Sequence, residues 1–206
     1  MFKDLDLSFK GDRNYLHGTD IFDTLLAWLR EQGFEIIEGL DLSFHQMATS
    51  TLRAELDLVD ARDVKNAAIL SFASQGSRHR VSLRETAKAV TGRRPYPEDR
   101  LVADAEFDAT TQAIRVENCL PGYSAIEYWI ALTKAMHLRA LPHVSGKWLF
   151  VRARFPRLDA PLECVRPAVQ LTSNYQDKLT RSEVSLDGRK FGDIYFSLLQ
   201  EGSERP

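Results

Sequence analysis

The chain has 206 residues, 27 Lys and Arg against 29 Asp and Glu, a net charge of −2, and 44% hydrophobic residues. This apolar content can bury a core that offsets chain entropy, which excludes a disordered chain, and the lack of a basic excess argues against nucleic-acid binding driven by counterion release. No apolar run approaches the roughly 20 residues of a membrane span, and the acidic start Met1-Phe2-Lys3-Asp4-Leu5-Asp6 is unlike a signal peptide, so a cytoplasmic protein is expected.

Taken in order, Leu5, Leu7 and Phe9 alternate as in a strand. From Asp20 to Gln32, Ile21, Phe22, Leu25, Leu26 and Leu29 recur at helical spacing, and Gly33 supplies the stop. Thr51–Val59 alternates again, with Leu52, Ala54, Leu56 and Leu58 inward, and further strands are expected near Ala67–Ser74 and Arg80–Val90. The Gly92–Arg100 stretch, with Pro95, Pro97 and the solvated cations Arg93, Arg94 and Arg100, reads as a linker that divides the chain into 1–96 and 97–206.

A short strand at Ala113–Val116 then precedes a second helix over Ser124–Leu138, with Ile126, Trp129, Ile130, Thr133 and Met136 on one face and Pro142 beyond its end. Leu149–Phe155, Ala168–Tyr175, Thr180–Leu186 and Lys190–Leu199 follow as strands, the last pair joined by an Asp187-Gly188 turn. The order strand, helix, antiparallel strands thus occurs twice. Overlaid, Gly18 meets Gly122, Asp23 meets Glu127, and Leu52-Arg53-Ala54-Glu55 meets Val151-Arg152-Ala153-Arg154.

Cys119 and Cys164 form neither a zinc-ligand spacing nor a disulfide framework and read as free thiols. There is no Walker loop, dinucleotide-binding glycine motif, nucleophile elbow or paired-histidine zinc motif, and the five histidines are scattered. No metal and no cofactor is expected.

In the second half, Asn118-Cys119-Leu120-Pro121-Gly122-Tyr123-Ser124-Ala125-Ile126-Glu127-Tyr128 resembles the loop and central-helix start of 3-hydroxyacyl carrier-protein dehydratases of the hot-dog superfamily. The ending Ser185–Phe196 is similar to that family's last hairpin. The resemblance implies an α+β double hot-dog, two modules each with a long central helix wrapped by a curved antiparallel sheet. It also implies acyl thioesters of acyl carrier protein or coenzyme A as ligands; another hot-dog subunit is a partner in a non-catalytic alternative.

Dehydration needs a base for the α-proton, an acid for the departing hydroxyl, and donors for the thioester carbonyl. The amino ends of the two helices offer donors near Gly18 and Gly122, with Tyr123 beside the second. The resemblance implies an acid at Glu127, with Asp23 as its first-half counterpart, but the family's loop histidine is replaced by Ala113 and Phe9. His17 is the histidine nearest a helix start and is the expected base. Ser124-x-x-Glu127 also reads as a capping box, and Asp20 and Asp23 as caps of the first helix. Thioester hydrolysis through Asp23 or Glu127, and a non-catalytic acyl-binding subunit, are the alternatives.

Overall fold

Period-two burial organises most of the chain. The computed structural model describes residues 1–58 and 65–199. Along Ser50–Leu56 (β4) Leu52, Ala54 and Leu56 are buried, and along Leu179–Leu186 (β12) every second residue from Thr180 is buried. Each such strand gives one face to a core and one to water. The strand β4 ends at Leu56, short of the expected Val59, and Leu58, expected inward, is exposed; Val59 itself lies outside the described residues.

Two compact units result, one of residues 1–97 with 154–161, the other of residues 98–153 with 162–206. In the first, Phe2–Leu5 (β1) and Phe9–Lys10 (β2) precede the helix Gly18–Glu31 (α1), and Ile37–Phe44 (β3), β4, Ala68–Ser74 (β5), Ser77–Ala89 (β6) and Arg93–Arg94 (β7) follow it. Its sheet runs β1-β4-β6-β5-β3, while β7 pairs with β2 in parallel. The expected linker is therefore partly a strand. The stripe Ile21, Phe22, Leu25, Leu26 and Leu29 is buried as the periodicity predicts, with the Phe22 ring 5.5 Å from that of Phe155.

The second unit opens with the short helix Glu98–Leu101 (α2) and strands Glu106–Asp108 (β8) and Ala113–Arg115 (β9). The helix Ala125–Ala140 (α3) packs on β9 and on Pro167–Tyr175 (β11), with a smaller contact on β12. With the part of Lys147–Leu158 (β10) up to Ala153, and Arg189–Leu199 (β13), its sheet runs β10-β13-β12-β11-β9-β8. Every α3 residue from Ala125 to Thr133 is buried. No described helix is long and apolar enough to cross a membrane.

The short β8 was not expected, and neither was the longer β3. Its buried residues are Ile37, Leu40 and Leu42, and the missing beat falls at Gly39, whose φ is +58°. Pairing of β3 with β5 shifts register between Glu38 and Asp41, so a bulge at this glycine breaks the alternation. With β3 counted, four main strands follow each long helix, and by order β3 rather than β4 corresponds to β10. The overlay of Leu52–Glu55 on Val151–Arg154 is one strand out of step. Strand neighbours differ too: β11, β12 and β13 form a meander, whereas β6 lies between β4 and β5.

Leu29 has no solvent exposure and sits on the buried stripe of α1. Leu29→Ala is expected to cost about 2–5 kcal/mol, read as a lower denaturant midpoint at unchanged slope.

Candidate functional site

The helix α1 begins at Gly18, two residues before the expected start. His17 is its N-cap residue and offers no side-chain capping bond, while its carbonyl accepts from the amides of Asp20 (3.1 Å) and Ile21 (3.2 Å). Four polar side chains are buried around this end: Lys10 at 1% exposure, His17 at 5%, Thr19 at 0% and Asp20 at 8%. Lys10 Nζ lies 2.6 Å from Asp20 Oδ1 and donates to Thr19 Oγ1 at 3.1 Å. His17 Nδ1 lies 2.7 Å from the same Thr19 oxygen. The Tyr96 ring lies 4.4 Å from Lys10 Nζ and 5.5 Å from the His17 ring.

Electrostatics explain why such a cluster holds together. A buried ammonium is costly unless paired, and Asp20 supplies both the counter-charge and an anion in the positive first turn of the helix. Arg94 Nη2 donates to the same Asp20 oxygen at 2.7 Å. Arg93 donates to the carbonyls of Gly11 and Arg13, so both arginines, exposed as expected, are also tied to this end of the unit. Asp20 is thus an ion-pair partner and not a cap. Asp23 lies three residues further along α1, at half burial.

The helix α3 starts conventionally. Ser124 is its N-cap, Glu127 N donates to Ser124 Oγ at 3.4 Å, and Ser124 N donates to Glu127 Oε2 at 2.9 Å, a complete capping box. Glu127 is 6% exposed. Gly122 turns the chain before the cap at φ +84°, a conformation that L-residues rarely adopt, and Tyr123 beside it is half-buried. Counted from the observed caps, the acid at the third helical position is Asp20 in α1 and Glu127 in α3. Asp23 is therefore not the positional counterpart of Glu127. Gly18 is a helical residue and Gly122 a turn residue, so these two differ as well.

Three features of these units were not anticipated. Cys119 and Cys164, 45 residues apart, bring their sulfurs to 2.9 Å as free thiols, and burial and the neighbouring Cys119 push the Cys164 thiol up. Their spacing carried no signal. Lys10 and Thr19 belong to no motif and are equally unmarked in sequence. His137 lies on α3 at 1% exposure, with Nε2 2.9 Å from Thr180 Oγ1 and its ring 4.3 Å from that of Trp148. It sits four residues after Thr133 and continues the apolar stripe, which is the signal that could have found it. Burial pushes its pKa down to about 4. Among the described residues no cluster of three His, Cys, Asp or Glu could hold a metal ion.

No protein-family model matches the sequence, and no curated protein matches it. Solved structures do resemble it. A candidate thioesterase II from Thermobifida fusca YX superposes with a TM-score of 0.50 at 13% identity, over 97% of this chain and 92% of that one. The dehydratase domain of PpsC from Mycobacterium tuberculosis, in complex with C12:1-CoA, gives 0.52 at 14% identity over 96% and 93%. The dehydratase domain of a mycocerosic acid synthase-like PKS gives 0.51 at 14% identity over 90% and 83%. The chain has the hot-dog fold of such thioesterases and dehydratases.

Two stability outcomes follow. Asp20→Asn leaves Lys10 buried without its carboxylate and is expected to cost about 3–5 kcal/mol in chemical denaturation. His137, with its pKa depressed in the folded state, contributes stability that is complete above pH 6.5, declines as the pH falls, and is gone below about pH 4. The loss approaches about 3 kcal/mol at 1.36 kcal/mol per pKa unit. Denaturation curves across this range should flatten in His137→Phe by that amount.

Proposed function

We propose that this protein is a double hot-dog, one module per unit, that acts on acyl thioesters of coenzyme A or acyl carrier protein, and that its reaction is dehydration of a 3-hydroxyacyl thioester. The observation that carries this reading is the concentration of His17, Thr19, Lys10 and Asp20, all buried, at the amino end of a long helix in this fold. Buried polar groups are costly, and a cluster of them at a helix start is the kind of place where a developing negative charge on a carbonyl oxygen is stabilised. The fold is shared with dehydratase and thioesterase structures, one of them holding an acyl-CoA.

In this reading His17 and Glu127 are the reacting titratable groups, with Asp23 as the alternative carboxylate. Amides near Gly18 and Gly122, with Tyr123, contact the thioester. Solvent-free surroundings would strengthen each of these interactions. A second reading has one observation in its favour: Glu127 is engaged in the cap of α3 and Asp20 in ion pairs, so the acid at each helix start already has a structural duty. There the fold holds an acyl group, or a partner hot-dog subunit, without turnover.

Incubation with 3-hydroxyacyl-CoA of several chain lengths, followed by mass spectrometry, should show loss of water, and His17→Ala should slow it by roughly a hundredfold or more. Release of free thiol instead would replace dehydration by hydrolysis, and binding without any product would support the non-catalytic reading. Glu127→Gln separates the two duties of that residue, because glutamine also completes a capping box. Its thermal midpoint should stay near that of the wild type while turnover falls. Unchanged turnover in Glu127→Gln removes the acid from this position.

A further inference from the structure

We propose that Cys119 and Cys164 are a modification site, forming a reversible disulfide when the protein meets a low-molecular-weight disulfide such as oxidised glutathione. The sequence holds two cysteines, so no other bond of this kind can form within the chain. Both lie in loops of the second unit, Cys119 between β9 and α3 and Cys164 between β10 and β11. A disulfide holds its sulfurs at about 2.04 Å, so the 2.9 Å between these two closes with less than about 1 Å of movement. Each cysteine is half-buried, and Asn118, Glu163 and Val165 beside them are exposed, which leaves the pair within reach of a small reagent. One cysteine attacks as its thiolate on a sulfur of glutathione disulfide, and a glutathione thiolate leaves. The other, its proton given to water, attacks the protein sulfur of the mixed disulfide and displaces the second glutathione thiolate. The protein loses two hydrogens, and one glutathione disulfide is reduced to two thiols.

The bond staples the loop ahead of α3 to a segment already fixed on the sheet. Just beyond Cys164, the carbonyls of Val165 and Arg166 accept from the Asp187 amide at 3.0 and 3.3 Å, and that of Pro167 accepts from the Val116 amide at 3.1 Å. Cys119 opens the loop that leads into α3, in which the Leu120 amide donates to the Tyr128 hydroxyl at 2.6 Å and Gly122 turns the chain. Oxidation closes a ring across a sequence separation of 45. Closing such a ring removes freedom from the unfolded chain, so the fold and the bond favour each other by the same factor. None of this depends on the reaction proposed above.

The test equilibrates the full chain with mixtures of oxidised and reduced glutathione, in buffer and in urea, followed by acid quench, alkylation and peptide mass mapping. In buffer the expected product is a linked pair of peptides carrying Cys119 and Cys164, two hydrogens lighter than the reduced pair, and dithiothreitol should restore both thiols. At the same glutathione ratio the proportion of linked to free protein should be lower in urea by roughly a hundredfold. The oxidised form should melt about 5 °C or more above the reduced form, a gain absent from Cys164→Ser treated alike. Two alkylated thiols at every glutathione ratio overturn the proposal, with no variant needed. So do glutathione adducts or bonds between chains as the end product, a linked fraction as high in urea as in buffer, or a linked protein that melts with the reduced one.

Discussion

An ammonium with almost no contact with water sets the terms for the amino end of α1. Lys10 is tolerated there because Asp20 stands at hydrogen-bond distance, because Thr19 takes a second of its three donors, and because the Tyr96 face lies over it. Each of these groups is then constrained by the others. Asp20 cannot serve as a cap, and the Thr19 hydroxyl is held between Lys10 and His17. The parallel pairing of β2 with β7 brings Lys10 opposite Arg94, so the second cation on Asp20 belongs to the same construction.

The two long helices solve the same problem in different ways. At α3 the orphan amides are met by a serine and a glutamate, the arrangement seen at many ordinary helix starts. At α1 the cap residue is a histidine whose side chain turns to a neighbouring hydroxyl instead. A helix end that forgoes a cap and buries two opposite charges gives up stability relative to the simple solution. Such local exceptions are expected where function, rather than folding, has set the residues.

Much of this architecture was legible in the sequence because burial leaves a period. Leu25, Leu26 and Leu29 announce α1, the alternation of β12 and β13 announces a hairpin, and Asp187-Gly188 marks its turn. Where the period fails, so does the reading. Gly39 inserts a bulge that hides β3, and the β5–β6 hairpin turns on Gln75-Gly76, where positive φ at both residues makes the same kind of turn without the usual Asn or Asp signal. The site was less visible than the fold. His17 stood out by type and place, but Lys10, Thr19 and Arg94 gain meaning only when distant segments meet, and a distance of 74 residues between Arg94 and Asp20 leaves no local trace.

The different strand neighbours of the two sheets bear on how each assembles. In the second unit β11, β12 and β13 pair as successive hairpins, Tyr175 opposite Leu179 and Leu186 opposite Arg189. In the first, β4 lies between β1 and β6 and pairs with neither of its chain neighbours β3 and β5, with Ser50 opposite Ala89. Closing a long loop before any contact repays it slows nucleation. The meander is thus suited to zip up early from its turns, whereas the sheet around α1, and with it the burial of Lys10, depends on partners that arrive late along the chain.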